Sequence, residues 1–467
     1  MAAISSPPGM TTARFVPDTM FLARFDARGP RYTSYPNANR YTEAYDSAHY
    51  LNALHHRALG GPLRPLSLFV HIPECRFLCY CSACNKPLSR DASHGDRYLH
   101  AVLAEAKMVR TALTSATPVA QLHLDGDVAA CFNDNQLQQL IEGLAATFTF
   151  SDNVVKSLGL DPFTVDAGRL AALRELGFHR ISFGTAASGG HLRPTDDAPH
   201  TLDMLHAARR LGFDSIRIEL AYGVPGQNPD DFTQTIEALA EPAPDHVLLY
   251  DFASLPVRFE PKRAQAAAEL PEVDARVSML HAALTSLCAQ GWDYIGMDHF
   301  ARHDNPLAIA KREGRLHRNF QGYTVQPDCD VVGLGTTAIS RVGTQYARNL
   351  RSIDEYHAAV ENGYLPVLSG HAMSSDDLVR YAVIMAILCQ GEVRFDDTGE
   401  DHLIDFRHYF RHELIELAAL AEHGLVRMDA AGFSVTQTGG FALHAIAGVF
   451  DRYARQSQAL TRFSRIL

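Results

Sequence analysis

From Leu66 to Phe300, short apolar runs alternate with longer stretches whose apolar residues recur at helical spacing. Apolar runs of this kind suit strands covered on both faces. Strands separated by helices pair in parallel, because only a long crossover returns the chain in the same direction. Candidate strands are Leu66–Ile72, Val119–Leu124, Val154–Leu160, Arg180–Gly184, Ser215–Tyr222, His246–Phe252 and Asp293–Phe300. Helices are expected near Asp96–Leu113, Asp134–Ala146, Asp166–Leu176, Thr201–Leu211, Pro229–Ala240 and Glu272–Gln290. Repetition of this unit predicts an α/β chain built on an open or partial (β/α)6 barrel, whose chemistry belongs at the carboxyl ends of its strands.

The flanks have a different rhythm. Residues 1–64 read as an N-terminal arm, with the turn-rich run Gly29-Pro30-Arg31-Tyr32-Thr33-Ser34-Tyr35-Pro36 and a helical stretch near Ala44–Leu59. Residues 65–367 form the barrel and its extension. In 368–467, helices at Ser374–Leu388 and His412–His423 precede a hairpin around Asp429-Ala430-Ala431-Gly432 and a closing helix Gly440–Arg455, which predicts a helical, winged-helix-like domain. A winged helix that grips DNA needs a basic face. Here 53 acidic residues face 42 basic ones, a net charge of −11, and His412–His423 carries no dense Lys/Arg stripe. The expectation is a lid or packing module without nucleic-acid binding. The opening MAAISSPPGMTTARF lacks a basic segment followed by an apolar one, and no run approaches the roughly 20 apolar residues of a membrane span. A soluble, cytoplasmic monomer is expected.

Four of the eight cysteines, Cys75, Cys79, Cys81 and Cys84, fall within ten residues, directly after the first strand. The others, Cys131, Cys288, Cys329 and Cys389, are scattered. A disulfide framework would spread its cysteines, so the packed four point to a metal or cluster site. The 23 histidines show no HExxH or comparable ligand spacing and read as surface or satisfied core residues.

The cysteine segment Leu68-Phe69-Val70-His71-Ile72-Pro73-Glu74-Cys75-Arg76-Phe77-Leu78-Cys79-Tyr80-Cys81-Ser82-Ala83-Cys84-Asn85-Lys86 resembles the cluster loop of the oxygen-independent coproporphyrinogen III oxidase family. Further strings match that family in order: Pro30 to Pro36, Tyr222-Gly223-Val224-Pro225, Gly296 to Ala301, His317 to Thr324 and Phe463-Ser464-Arg465-Ile466. The resemblance implies a radical S-adenosylmethionine enzyme of haem biosynthesis with a [4Fe–4S] cluster, a tetrapyrrole substrate and an external electron donor. It implies oxidative decarboxylation of two propionates of coproporphyrinogen III to vinyl groups. In that chemistry the reduced cluster cleaves S-adenosylmethionine, and the resulting radical removes a hydrogen from the propionate β-carbon. Three thiolates leave one iron open for the cofactor.

Cys75, Cys79 and Cys84 fit the family's C-x3-C-x2-C-x-C pattern, whereas Ser82 stands at the third cysteine and Cys81 one residue early. Cys81 or Cys84 could supply the third bond, both together would close the cluster, or Cys81 is a small residue without a ligand role. Where the family has a glycine triplet followed by Thr-Pro, the chain has Asp125-Gly126-Asp127-Val128-Ala129, so only Gly126 remains. Gly159 replaces a glutamate, Thr185-Ala186-Ala187-Ser188 replaces Val-Gln-Asp-Phe, Ala198 replaces an arginine and Phe69 a tyrosine. Glu219 stands for an aspartate, and Ala253, Phe320, Gln321 and Ile339 match positions lining the family's cofactor sites. Losses therefore concentrate in the first half of the barrel mouth, while Tyr294–Ser340 is nearly intact. The resemblance implies either an enzyme with impaired cluster and cofactor motifs or a catalytically inactive homologue that binds a tetrapyrrole or a closed cluster as carrier or regulator.

Overall fold

The computed structural model describes residues 16–25, 31–57, 64–73, 92–114, 117–126, 128–184, 198–224, 226–252, 270–320, 322–326 and 328–456. Strands β1 (Leu66–Ile72), β2 (Val119–Gly126), β3 (Phe150–Leu160), β4 (Arg180–Gly184), β5 (Ser215–Tyr222) and β6 (His246–Asp251) lie side by side in chain order. Every neighbouring pair is parallel. The helices Ala92–Ala112, Asp134–Thr147, Ala167–Glu175, Ala198–Arg210 and Pro229–Ala238 make the crossovers, and Val273–Ala289 follows β6. Three of these crossovers start where a side chain caps them. Asn133, Asp166 and Asn228 accept hydrogen bonds from backbone N–H groups of the first turns they precede.

One expected strand is two. Asp293–Phe300 is a hairpin of β7 (Trp292–Gly296) and β8 (His299–Arg302), with β8 antiparallel to β6. The reversal occurs at Met297 and Asp298, whose φ values of 48° and 67° give the left-handed pair that a two-residue hairpin turn requires. Apolar content alone did not mark it. After a small ribbon of β9 (His317–Asn319) and β10 (Gly322–Thr324), β11 (Asp330–Leu334) returns to pair in parallel with β1. The antiparallel strands β12 (Ile339–Val342), β13 (Gln345–Asn349) and β14 (Val367–Ala372) extend that edge. The result is one twelve-stranded sheet ordered β14-β13-β12-β11-β1-β2-β3-β4-β5-β6-β8-β7. Strand β14 runs across the boundary expected between 367 and 368 and belongs to the sheet. Its outer side meets the N-terminal arm, where Thr42 and Gly370 exchange both backbone hydrogen bonds, at 2.9 and 3.0 Å. A Cβ on Gly370 would lie 2.2 Å from the Tyr45 ring, so the close approach needs glycine.

The C-terminal helices include Ser375–Cys389 and Arg411–Glu422, and the expected hairpin is β16 (Val426–Met428) with β17 (Gly432–Val435). A third strand, β15 (Glu392–Arg394), pairs on β17. The single closing helix expected over Gly440–Arg455 is broken into Gly439–Phe441, Leu443–Val449 and Arg452–Gln456. Asp451 accepts from the N–H groups of Tyr453 and Ala454 and so starts a new helix within the expected one.

Two apolar cores result. Leu68, Val70, Leu122, Leu124, Ile218, Leu220, Val247 and Leu249 join the outer face of the sheet to its helices. Ile384, Phe410, Leu417, Ile446 and Phe450 form a second core that also takes Tyr32 and Tyr35 of the arm and Ile295 and Met297 of the β7–β8 hairpin. The C-terminal unit therefore packs beside the barrel through that hairpin. No described helix is long and apolar enough to cross a membrane.

Candidate active site

Strand alternation sends the core residues outward and the intervening side chains inward. The inward row is polar: His123 and Asp125 on β2, Ser157 on β3, Ser182 on β4, Arg217 and Glu219 on β5, His246 and Tyr250 on β6. Register sets Phe69 beside His123, His123 beside Ser157, Ser182 beside Arg217, and Arg217 beside His246.

These groups are paired with one another. Glu219 Oε1 accepts from Ser182 Oγ at 2.9 Å and from the Arg217 guanidinium, and its Oε2 accepts from Tyr250 OH at 3.1 Å. Arg217 Nε also donates to Ser182 Oγ at 2.9 Å. Above Tyr250, the Arg31 guanidinium lies 4.7 Å from the ring centroid and pairs with Asp298 at 3.3 Å. Burial nevertheless pushes the Asp298 carboxyl up to about 6. His123 stacks on Phe69 with centroids 5.7 Å apart and shares a 2.8 Å hydrogen bond with Ser157. Burial pushes this imidazole down to about 4, against the opposing pull of Asp125. The rings of His246 and His299 stack, with their nitrogens 3.0 Å apart, and burial holds both well below the usual histidine range. Two neutral imidazoles can share one hydrogen bond, whereas two cations at that distance would repel.

Gly126 ends β2 at φ 96°, and a Cβ there would lie 2.0 Å from the Ile72 carbonyl oxygen. No other residue fits this turn, because the neighbouring strand's carbonyl occupies the place of a side chain. Asp125 Oδ1 accepts from the Gly126 N–H at 2.9 Å, and a Cβ on Gly159 would come 3.2 Å from the same oxygen. The cofactor implied by the sequence finds a misfit at Glu219, whose carboxylate already receives three donors. Phe320 and Ile339 sit elsewhere, packed on the small cluster of Tyr41, Tyr346 and Met373. Cys75, Cys79, Cys81, Cys84, Ala253 and Gln321 lie outside the described residues. Ile72 pairs with Gly126, so the cysteine segment leaves β1 at the same end as this cradle. Among the described residues, no group of three or more His, Cys, Asp or Glu side chains is placed to hold a metal.

The Arg217–Glu219–Ser182–Tyr250 set was not singled out from sequence beyond Glu219. A local signal existed. In Ile216-Arg217-Ile218-Glu219-Leu220, two charged residues alternate with apolar ones, which on a strand covered by helices places both charges inside the barrel.

No family model matches the chain. Oxygen-independent coproporphyrinogen III oxidase of Pseudomonas aeruginosa is 38% identical over 456 residues, spanning 96% of this chain and 98% of that protein. The protein of the same name from Escherichia coli strain K12 is 36% identical over 454 residues, with the same coverage. Among solved structures, coproporphyrinogen III oxidase from Escherichia coli, described as a radical SAM enzyme, superposes with a TM-score of 0.85 at 34% identity, covering 94% of this chain and 99% of that one.

Proposed function

The chain belongs to the oxygen-independent coproporphyrinogen III oxidase family, and from that membership we propose that it acts on coproporphyrinogen III, with a cofactor step weakened by its own side chains. The reaction is oxidative decarboxylation of two propionates to vinyl groups, giving protoporphyrinogen IX. End-to-end similarity to enzymes of that name carries this reading. S-adenosylmethionine on a [4Fe–4S] cluster is the group that would supply the oxidising radical, with Cys75, Cys79 and either Cys81 or Cys84 as thiolates. Gly126 gives the methionine end its close approach, and Ala253, Phe320, Gln321 and Ile339 would line the remainder. The chain would work in the cytoplasm as a monomer served by an electron donor.

The weakening has two sources. Ser82 removes a thiolate from the family spacing, and Arg217 holds the Glu219 carboxylate that a cationic amino group would otherwise meet. The same pairing favours a second reading, an inactive relative that binds a tetrapyrrole as carrier or regulator.

Anaerobic reconstitution with iron and sulfide, followed by electron paramagnetic resonance with and without S-adenosylmethionine, separates the two. A cluster signal that shifts on adding the cofactor, with slow formation of protoporphyrinogen IX, supports the enzyme. An unshifted signal with intact tetrapyrrole binding supports the carrier. Absence of both cluster and tetrapyrrole binding sinks both.

A further inference from the structure

Below the layer formed by Phe69 and His123, the barrel wall continues to Gln121 on β2, four residues short of Asp125. At about 3.3 Å per strand residue this is about 13 Å from the mouth. A small, partly open cavity lies there, lined by Gln121, Val331, Arg318, Phe320, Arg341 and Tyr381 among others. Its two arginines are unlike those of the mouth. Arg318 is 6% exposed, and its Nε and Nη2 donate to the carbonyls of Tyr32 and Arg31 at 3.3 and 2.9 Å. Its Nη1 is buried and has no partner among the described residues. Arg341 donates from Nη1 to Asp328 at 3.0 Å and to Tyr381 OH at 2.9 Å, while its Nε is buried without a partner. The one carboxylate lining the cavity, Asp328, also receives Arg64 at 2.8 Å.

Two guanidiniums with unused N–H groups, facing one carboxylate that is already shared, leave an excess positive charge and buried donors that lack an acceptor. A buried donor without an acceptor carries a desolvation cost, which an incoming carboxylate would relieve with charge-assisted hydrogen bonds. The cavity has room for a carboxylate-bearing arm but not for a tetrapyrrole macrocycle.

We propose that this cavity receives a propionate arm of the tetrapyrrole, with Arg318 and Arg341 as its anchors. The inference rests on the tetrapyrrole reading above. In that reaction two of four propionates persist in the product, so a retained propionate can serve as a handle that orients the ring toward the mouth.

The test is titration of the full chain with coproporphyrin III, the stable oxidised counterpart of the substrate, read by its absorption band and by quenching of the single tryptophan, Trp292. Coproporphyrin tetramethyl ester and S-adenosylmethionine are titrated in parallel. Arg318 also holds the arm, so Arg318→Gln is paired with Arg341→Gln, which leaves those backbone contacts in place. Each variant is expected to raise the Kd for coproporphyrin III at least tenfold. Neither should change binding of the ester, already weaker to the unmodified protein, or of S-adenosylmethionine. Equal coproporphyrin binding by unmodified and Arg341→Gln protein would overturn the anchor alone. Loss of S-adenosylmethionine affinity instead would also overturn it, by assigning the cavity to the cofactor's carboxylate. Failure of the unmodified protein to bind coproporphyrin at all would overturn the tetrapyrrole reading, and the anchor with it.

Discussion

At the mouth, along β2 to β6, the charged and polar side chains satisfy each other; around β9 and β12, the buried Arg318 and the partly buried Arg341 keep N–H groups that meet no acceptor among the described residues. Both regions are polar and enclosed. They differ in whether the protein has already answered its own hydrogen-bonding demand. A carboxylate held by Arg217, Ser182 and Tyr250 must give up those partners before it can bind a ligand, whereas Arg318 and Arg341 gain by binding one. The mouth is built around internal pairs, and the opposite end keeps donors that meet no acceptor among the described residues.

The largest expected effect tests the mouth. Under reducing, anaerobic conditions the unmodified protein should form almost no 5′-deoxyadenosine, and Ser82→Cys alone should recover little. Losing several hydrogen bonds to a charged ligand, at about 1.5–3 kcal/mol each, weakens binding by orders of magnitude. Adding Gly159→Glu and a restored glycine-rich turn at 125–128 to Ser82→Cys should return a signal measurable by chromatography. Rapid 5′-deoxyadenosine formation by the unmodified chain would erase the contrast between the two regions.

Next in size is a pH effect on the β11–β12 side. Glu105 is buried and accepts from the Gly335 N–H at 2.8 Å, Asn349 at 2.6 Å and Tyr356 OH at 2.7 Å. Burial outweighs these donors and pushes its carboxyl up to about 7. The folded chain therefore keeps a proton that the unfolded chain releases near pH 4.3, so stability is full below that value and falls as pH rises toward 7. The loss is on the order of 3 kcal/mol. Urea unfolding across this window should show the decline, and Glu105→Gln should flatten it.

Arg217→Met probes the mouth directly. Removing the cation leaves Glu219 enclosed and under-compensated, which should cost about 2–3 kcal/mol, below the roughly 3–5 kcal/mol for breaking a fully buried pair because both side chains keep about one-fifth exposure. The same change should tighten S-adenosylmethionine binding severalfold by calorimetry, since the cofactor's amino group can take the guanidinium's place. Unchanged affinity would mean that Arg217 does not block the cofactor.

The smallest change serves as a control outside both regions. Ser374 caps the helix Ser375–Cys389 and exchanges hydrogen bonds with Asp377. Ser374→Ala should lower stability by about 1 kcal/mol in urea titrations and leave coproporphyrin binding alone.

Strands β1 to β6 were legible because their demands are local: an apolar run, then a helix with a cap at its start. The β7–β8 turn was not, since Met297 and Asp298 are neither the glycine nor the asparagine that usually announces left-handed backbone. At the site, the cysteine segment and Gly126 stand out from composition and resemblance. The inward pairing of Glu219 does not, because Ser182 and Tyr250 reach it only through the register of neighbouring strands. Arg318 is further from legibility still. Its sequence neighbours do not reveal that two of its nitrogens are used on the arm's carbonyls and the third is left over.

The rung between Thr42 and Gly370 bears on how the chain is made. A long sheet ending in an open strand is a template for another molecule, and β14 is the last strand of this sheet to be synthesised. Its cover comes from the arm, which leaves the ribosome before β14 and is already waiting when that strand emerges. The interval in which the edge can recruit a second nascent chain is therefore set by docking rather than by synthesis. A chain shortened to begin after Thr42 would carry the exposed edge throughout its life, and its failure would be seen as aggregation during expression before any loss of chemistry could be measured.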